Sequence, residues 1–438
     1  MKPASEVPYF PRWTLRTEGV IAPDERLPAG PTIVLGLQHV VAMFGATVLA
    51  PLLMGFNPNV AILFSGIGTL IFFVAVGGRV PSYLGSSFSF IAVVIAATAY
   101  AGSGPNPNLG VALGGIIAAG ALYTAIGLVV MVIGYAWIET LMPPVVTGSV
   151  VAVIGLNLAP IAVKGISGSA FDTWIGLATI VAVGLVAVRA PGLLRRLPVL
   201  LGGLAGYALY ALCANGLGLG RAIDFSGVAG SAWLGMPAFT APVWSGGAMA
   251  LIAPVAIVLV AENLGHVKAV AAMTGQNLDA YLGRAFIGDG IATMVAGAGG
   301  GTGVTTYAEN IGVMAVTKIY STVVFVVAAL AAIVLGFSPK FGALIMTIPG
   351  PVLGGLSIVV FGLITATGGR IWVQNRVDFS RARNLVTAGV TLTVGAGDLA
   401  LKLGGFTLGG IGTATFGAIL LYQLFRDGQP ASGDAPAR

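Results

Sequence analysis

Charge is what this chain most lacks. Of its 438 residues only 8% are Asp, Glu, Lys or Arg, against about 25% in a typical soluble domain. A water-facing surface cannot be assembled from so few charges, which excludes a soluble enzyme and a charge-rich disordered chain. Cys213 is the sole cysteine, so a disulfide scaffold and a thiolate metal site are excluded too. Histidine is nearly as scarce: His39 and His266, without thiolates beside them, do not make up a zinc ligand set. No G-x-x-x-x-G-K-[ST] loop occurs, so ATP is not expected to drive any process here. No nucleophile–base constellation stands out, and the chain is expected to be no enzyme and to carry no cofactor and no metal. The polar stretch Met1 to Arg26 lacks the apolar core of a cleavable signal. The first apolar segment is therefore expected to be retained.

What fills the chain instead is apolar. Hydrophobic residues make up 57% and glycines number 66, with a mean hydropathy of +0.96; glycine is itself more frequent in membrane helices than in soluble ones. This composition predicts an all-α polytopic membrane protein. A span takes about 20 residues, and with short loops the length leaves room for about 14. Apolar runs fall at 31–54, 58–77, 83–101, 109–134, 140–161, 171–189 and 197–217. A second set falls at 246–270, 281–298, 303–316, 319–339, 342–366, 382–397 and 405–425. If the N-terminus is cytoplasmic, all but four of the 21 Lys and Arg lie on the cytoplasmic side or at its helix ends. The four are Lys164, Arg221, Lys340 and Lys402. That bias is the positive-inside rule, and it accounts for the net charge of +6 without nucleic acid. The tail from Asp427 reads as a solvated end.

The two halves resemble each other. Pro144-Val145, Gly148 and Gly155-Leu156 are matched by Pro351-Val352, Gly355 and Gly362-Leu363, and Gly85-Ser86-Ser87-Phe88 is echoed by Gly303-Val304-Thr305-Thr306-Tyr307. Seven spans per half is an odd number, so the repeat is expected to be inverted. Ligand sites in such folds lie where discontinuous helices of the two repeats meet. The third and tenth segments read as those helices: extended backbone over Pro81–Ser87 and Thr302–Tyr307, then half-helices from about Phe88 and Ala308. Unwound backbone is tolerated at membrane depth only beside protein or a wet cavity, and helix starts offer free N–H groups there.

A charge near the bilayer centre costs several kcal/mol, roughly 2.5–3.5 on insertion scales, so intramembrane ionisable residues read as functional. Glu262 and His266 are four apart and share a helix face; Glu309 and Asn310 stand at the tenth-segment half-helix. Glu262 and Glu309 are the candidate binding pair. His266 either relays a proton to Glu262 or makes a structural hydrogen bond. His39, after Gln38, and Asp289, between Gly288 and Gly290, read as interhelical hydrogen-bonding groups. Carboxylates, free N–H groups and the rings of Phe88 or Tyr307 suit a planar heterocycle edged with N–H and C=O groups. Uphill movement would then need an ion gradient, with buried carboxylates as proton carriers.

These residues resemble the nucleobase–ascorbate transporter family, also called nucleobase–cation symporter family 2. Its signature [QEP]-N-x-G-x-x-x-x-T-[RKG] reads here as Glu309 to Lys318 without a mismatch. The family's first-span pair appears as Gln38-His39, its eighth-span acidic motif as Ala261 to His266, and its third-span motif as Tyr83 to Phe88. The likeness covers about 30–425, and within the family is greatest to bacterial uracil permeases of the pyrimidine-utilisation type. It implies a 7+7 inverted repeat with core and gate domains. In that division 1–29 is a cytoplasmic N-terminal segment, 30–135 and 246–339 form the core, 136–245 and 340–426 form the gate, and 427–438 is a cytoplasmic tail. It also implies import of uracil with a proton by an elevator movement, in a homodimer joined through the gate in the bacterial inner membrane. Carried over, Glu262 and Glu309 bind the base, Phe88 and Ala308 give backbone N–H groups, Tyr307 lines the pocket, and His266 acts in proton coupling. Gln38, His39 and Asn310 are structural polar groups. Ala308 stands where uracil permeases can carry Gly, and Asp289 where Asn is familiar; Asp289 thus becomes a second candidate proton site. A purine permease for xanthine or uric acid, and an uncoupled facilitator or sensor, are the alternatives.

Overall fold

The computed structural model describes residues 8–102, 104–403 and 406–425, and the tail from 427 lies outside them. The first half contains α1 (Ala29–Met54), α2 (Pro58–Ala75), β1 (Leu84–Ser86), α3 (Ile91–Thr98), α4 (Leu109–Ile133), α5 (Ala136–Leu141), α6 (Pro144–Ile166), α7 (Ala170–Arg189) and α8 (Pro198–Ala211). The second contains α9 (Gly246–Ile252), α10 (Val255–Thr274), α11 (Leu282–Gly299), β2 (Val304–Thr306), α12 (Ala308–Thr317), α13 (Thr322–Gly336), α14 (Pro339–Met346), α15 (Gly350–Gln374), α16 (Ala382–Ala396) and α17 (Gly410–Leu424).

A helix stands at each of the fourteen expected places. Among the described residues eight are long and apolar enough to cross a membrane, and α13 with α14 makes a ninth candidate bent by 81°. The others fall short for local reasons. α3 and α12 are the half-helices, and α11 carries Arg284, Asp289 and Thr293 within eighteen residues. One boundary moves. The apolar run read as 342–366 divides into α14 and α15, because the chain between them carries Pro349, followed by Pro351 at the start of α15. Proline at the first helical turn is tolerated, whereas in the interior it breaks the ladder. Pro143-Pro144 likewise delays α6 beyond the start read at 140.

Helices of the two halves pair across each other: α4 runs along α11, α2 packs on α11 and α13, α1 on α13, and α6 on α15 and α16. Small residues permit this closeness. A Cβ on Gly120 would stand 2.6 Å from the Gly290 carbonyl oxygen, so α4 and α11 approach backbone to backbone, the packing mode that lipid-embedded helices favour. Residues before α1 strap the end of one such set. The Ile21 amide donates to the Lys318 carbonyl and the Tyr320 amide to Ile21, while the Trp13 indole N–H reaches Thr322 Oγ1 at 2.9 Å.

Candidate functional site

The site is built on two three-residue strands from opposite halves. β1 and β2 run antiparallel, with Leu84 opposite Thr306, Gly85 opposite Thr305 and Ser86 opposite Val304. The ribbon is continued by bonds from Ser87 N to Gly303 O at 2.9 Å and from Tyr307 N to Tyr83 O at 3.0 Å. Pro81 disfavours helix before β1, and Val304-Thr305-Thr306 is a β-branched run suited to a pleated backbone. A two-stranded ribbon leaves its outer edges unpaired, and inside a membrane protein those groups must find partners. Threonines supply them. The Leu84 amide donates to Thr69 Oγ1 on α2 at 2.9 Å, and that hydroxyl in turn donates to the Ser65 carbonyl. On the other edge the Val304 amide donates to Thr293 Oγ1 on α11 at 3.2 Å.

Each strand turns directly into a half-helix. A 3₁₀ turn over Phe88–Phe90, with Ser87 as its cap, leads into α3, and α12 starts at Ala308 after Tyr307. The first amides of a helix have no intrahelical acceptor. Those of Phe88 and Ala308 donate to no other group among the described residues. Thr305, Thr306 and Tyr307 are buried, but Ala308 and Glu309 are exposed. Glu309 stands between buried Tyr307 and buried Asn310, so the space it faces adjoins the protein interior.

α10 passes this opening. Glu262 lies within electrostatic reach of Glu309, and its Oε2 is buried with no hydrogen-bond partner among the described residues. One turn on, His266 Nδ1 bonds Thr306 Oγ1 at 2.9 Å, tying α10 to β2. Gly265 between them is exposed, with no atom within 4 Å of where a Cβ would stand. Phe88 is half-buried, and across from it Phe361 of α15 meets its ring edge to face at 6.0 Å. The sequence-derived residues Glu262, His266, Phe88, Ala308 and Glu309 are thus gathered about the β1–β2 ribbon, Phe88 beyond its Ser87–Gly303 end and Ala308 beyond its Tyr83–Tyr307 end.

Three other expected residues tie these elements together. Tyr307 is only 3% exposed; its hydroxyl donates to the Ser86 carbonyl at 2.8 Å and accepts from Thr47 Oγ1 at 3.2 Å. Gly85 is where its ring passes, since a Cβ there would collide with Tyr307. Asn310 Nδ2 meets His39 Nδ1 at 2.9 Å and the His39 carbonyl at 3.1 Å, joining α12 to α1. Gln38 makes no side-chain hydrogen bond among the described residues.

Asp289 is fully buried beside Asn263 and Tyr123. Its Oδ2 accepts from Asn263 Nδ2 at 2.7 Å and from the Tyr123 hydroxyl at 3.3 Å, while Oδ1 has no hydrogen-bond partner among the described residues. Sequence reading gave Asn263 no role although it sits inside the Ala261–His266 motif, and it missed Thr69, Thr293, Tyr123 and Phe361. Hydroxyls within apolar helices were the available signal for the two threonines.

Residues 30–404 match the model of a family described as "Permease family". Among curated proteins, the chain is 65% identical over 419 residues to "Putative pyrimidine permease RutG" of Escherichia coli K12, covering 95% of each chain. It is 40% identical to a "Uracil permease" of Paenibacillus larvae, over 93% of this chain and 96% of that protein. It is 41% identical to a "Uracil permease" of Bacillus caldolyticus, over 94% and 95%. Among solved structures, the transmembrane domain of the cyanobacterial bicarbonate transporter BicA superposes with a TM-score of 0.61 at 18% identity, over 84% of this chain and 96% of that one. Murine Slc26a9, an anion transporter in an inward-facing state, gives 0.66 at 14% identity, over 90% and 68%. At such identities the likeness concerns the fold alone.

Proposed function

The chain belongs to the permease family that its residues 30–404 match, and on that premise we propose that it imports uracil, or a closely related pyrimidine base, together with a proton. The relatives of 65%, 40% and 41% identity carry pyrimidine or uracil permease names, which supports the substrate class. The observation that carries the chemistry is the pairing of unspent donors with unspent acceptors about the β1–β2 ribbon. Among the described residues the amides of Phe88 and Ala308 and the Oε2 of Glu262 have no partner, and Glu309 is exposed. A uracil ring offers carbonyl oxygens to the two amides and N–H groups to the two carboxyl groups. Phe88 and Phe361 would bound its face.

In this reading the proton enters with the base at Glu262, with His266 beside it, and leaves on the inward side; buried Asp289 is a second proton site. A base that covers Glu262 removes water from it, which costs a carboxylate more than a carboxylic acid, and the protonated side chain can donate to a uracil carbonyl; proton and substrate therefore favour each other's presence at Glu262. The cycle is an elevator movement of a core (30–135 and 246–339) against a gate (136–245 and 340–426). Two copies join through the gate in the bacterial inner membrane, with both termini cytoplasmic. Support for two bodies comes from the packing: the extensive helix pairs α4–α11, α2–α13 and α6–α15 each fall within one body.

Uptake of radiolabelled uracil into proteoliposomes under an imposed inward proton gradient, challenged with excess xanthine, tests this. Gradient-driven accumulation untouched by xanthine is expected. Abolition by xanthine would mean a pocket that accepts purines, with the Ala308 methyl the first feature to change. Equilibration without accumulation would make the protein a facilitator, and absence of uracil uptake would remove the substrate assignment.

A further inference from the structure

Away from the substrate space, the ends of α2, α4 and α11 leave a groove of about 590 Å³, walled by Leu70, Val74, Met131, Ile287 and Ile291 and closed at one end by Tyr9 and Arg284. Its walls are open: Val74 is 54% and Met131 53% exposed. α2, α4 and α11 pack on one another, while the contacts towards α6, α8 and α17 are made by α1, α3 and α10. The groove therefore faces the lipid side of the molecule.

Its mouth is cationic. The Tyr9 hydroxyl donates to the Val74 carbonyl at 2.6 Å, which pins the segment Pro8–Tyr9 to the end of α2. Two guanidinium groups flank that segment. Arg79 donates to the Pro8 carbonyl at 2.7 Å, and Arg284 lies over the Tyr9 ring at 5.4 Å. Among the described residues the ion pairs join Arg16 to Glu25, Lys268 to Glu139 and Asp279, and Arg381 to Asp378. Among the described residues Arg79 and Arg284 thus have no carboxylate partner. Arg284 also stands in the first turn of α11, where the helix dipole adds positive potential. Arg284 in the lining of an apolar groove, with Arg79 beside it on the Pro8 carbonyl, matches a phosphodiester attached to an acyl chain. Basic pockets between transmembrane helices hold such headgroups.

We propose that this groove is a binding site for an anionic phospholipid, with one acyl chain along Val74, Met131 and Ile287 and the phosphate between Arg79 and Arg284. The proposal is independent of what the protein transports. It can be tested on the purified full chain in an uncharged detergent by native mass spectrometry and thermal-shift titration with dioleoyl phosphatidylglycerol, dioleoyl phosphatidylcholine and inorganic phosphate. Phosphatidylglycerol should be retained and raise the melting temperature, phosphatidylcholine much less so, and inorganic phosphate not at all. With each basic residue contributing its usual share near a charged headgroup, R79Q/R284Q should weaken phosphatidylglycerol binding by about 30-fold. Ile287→Trp, which fills the groove and leaves both charges, should lower retention as well. Equal retention of the two lipids by the unaltered protein overturns the proposal whatever the variants do. A shift reproduced by inorganic phosphate alone, or a double variant that keeps its preference, also overturns it.

Discussion

Glu262 and Glu309 lie within electrostatic reach of each other, but their surroundings differ in kind. Glu309 sits in the first turn of α12, where free amides and the helix dipole favour a negative charge. Glu262 lies mid-helix on α10, and among the described residues its Oε2 meets no donor. Glu309 is therefore suited to hold a substrate N–H group as a carboxylate, and Glu262 to take part in exchanging a proton. The two substitutions should fail differently. Glu309→Ala removes a charge-assisted hydrogen bond worth about 1.5–3 kcal/mol, so uracil should bind roughly 10- to 150-fold more weakly, as read by equilibrium dialysis on purified protein. Glu262→Gln keeps the shape and a polar edge; it should retain most binding but lose gradient-driven accumulation. Accumulation by that variant at the unaltered level, independent of pH, would rule out Glu262 as the proton-carrying group. These residues were legible in the sequence because intramembrane carboxylates are rare and stand inside recognisable motifs. Phe361 was not, since its place opposite Phe88 depends on how α15 packs against the other half.

At the scale of the element, the broken helices came through clearly. Pro81 and the Gly-Ser-Ser and Gly-Val-Thr-Thr stretches read as extended backbone, and half-helices from about Phe88 and Ala308 are where the structure places them. What sequence reading could not supply was the strand pairing, because register between segments over two hundred residues apart leaves no local pattern. Nor could it tell that threonines on α2 and α11 would finish the ribbon's edges. That device is testable. Thr69→Val leaves the Leu84 amide, and Thr293→Val the Val304 amide, buried without an acceptor, at a cost of about 1–3 kcal/mol each. Each variant should unfold at a lower temperature in a thermal-shift assay, whereas Thr69→Ser and Thr293→Ser, which keep the hydroxyl, should recover most of the loss. If the valine variants melt with the unaltered protein, the hydroxyls are not supporting the ribbon. The bend between α13 and α14 belongs to this scale too. Leu344 to Ile348 is apolar enough to pass for the start of a span, and the prolines around it decide where the helix begins.

For the whole molecule the decisive matter is whether two sets of helices slide past each other. In the proposed function the substrate space lies between α10, α3 and α12 on one side and α15, which brings Phe361 to Phe88, on the other, so a base held by Glu262 and Glu309 would change sides only if that boundary moves. α1 and α8 meet across the same boundary at a point that can be locked. A Cβ built on Gly45 lies 3.1 Å from the Val199 Cβ, close to the 3.5–4.5 Å spacing of disulfide-bonded cysteines, so small adjustments would bring a Cys pair into range. With Cys213 the only native thiol, G45C/V199C in a C213A background gives a clean cross-linking pair. Oxidation should abolish uracil uptake while leaving binding from the open side intact, and a reductant should restore uptake. A control with either cysteine alone should be insensitive to both reagents. Full-rate uptake by protein shown to be cross-linked would mean that α1 and α8 stay fixed during transport. The movement would then have to be confined to the half-helices, with α3 and α12 shifting against stationary neighbours.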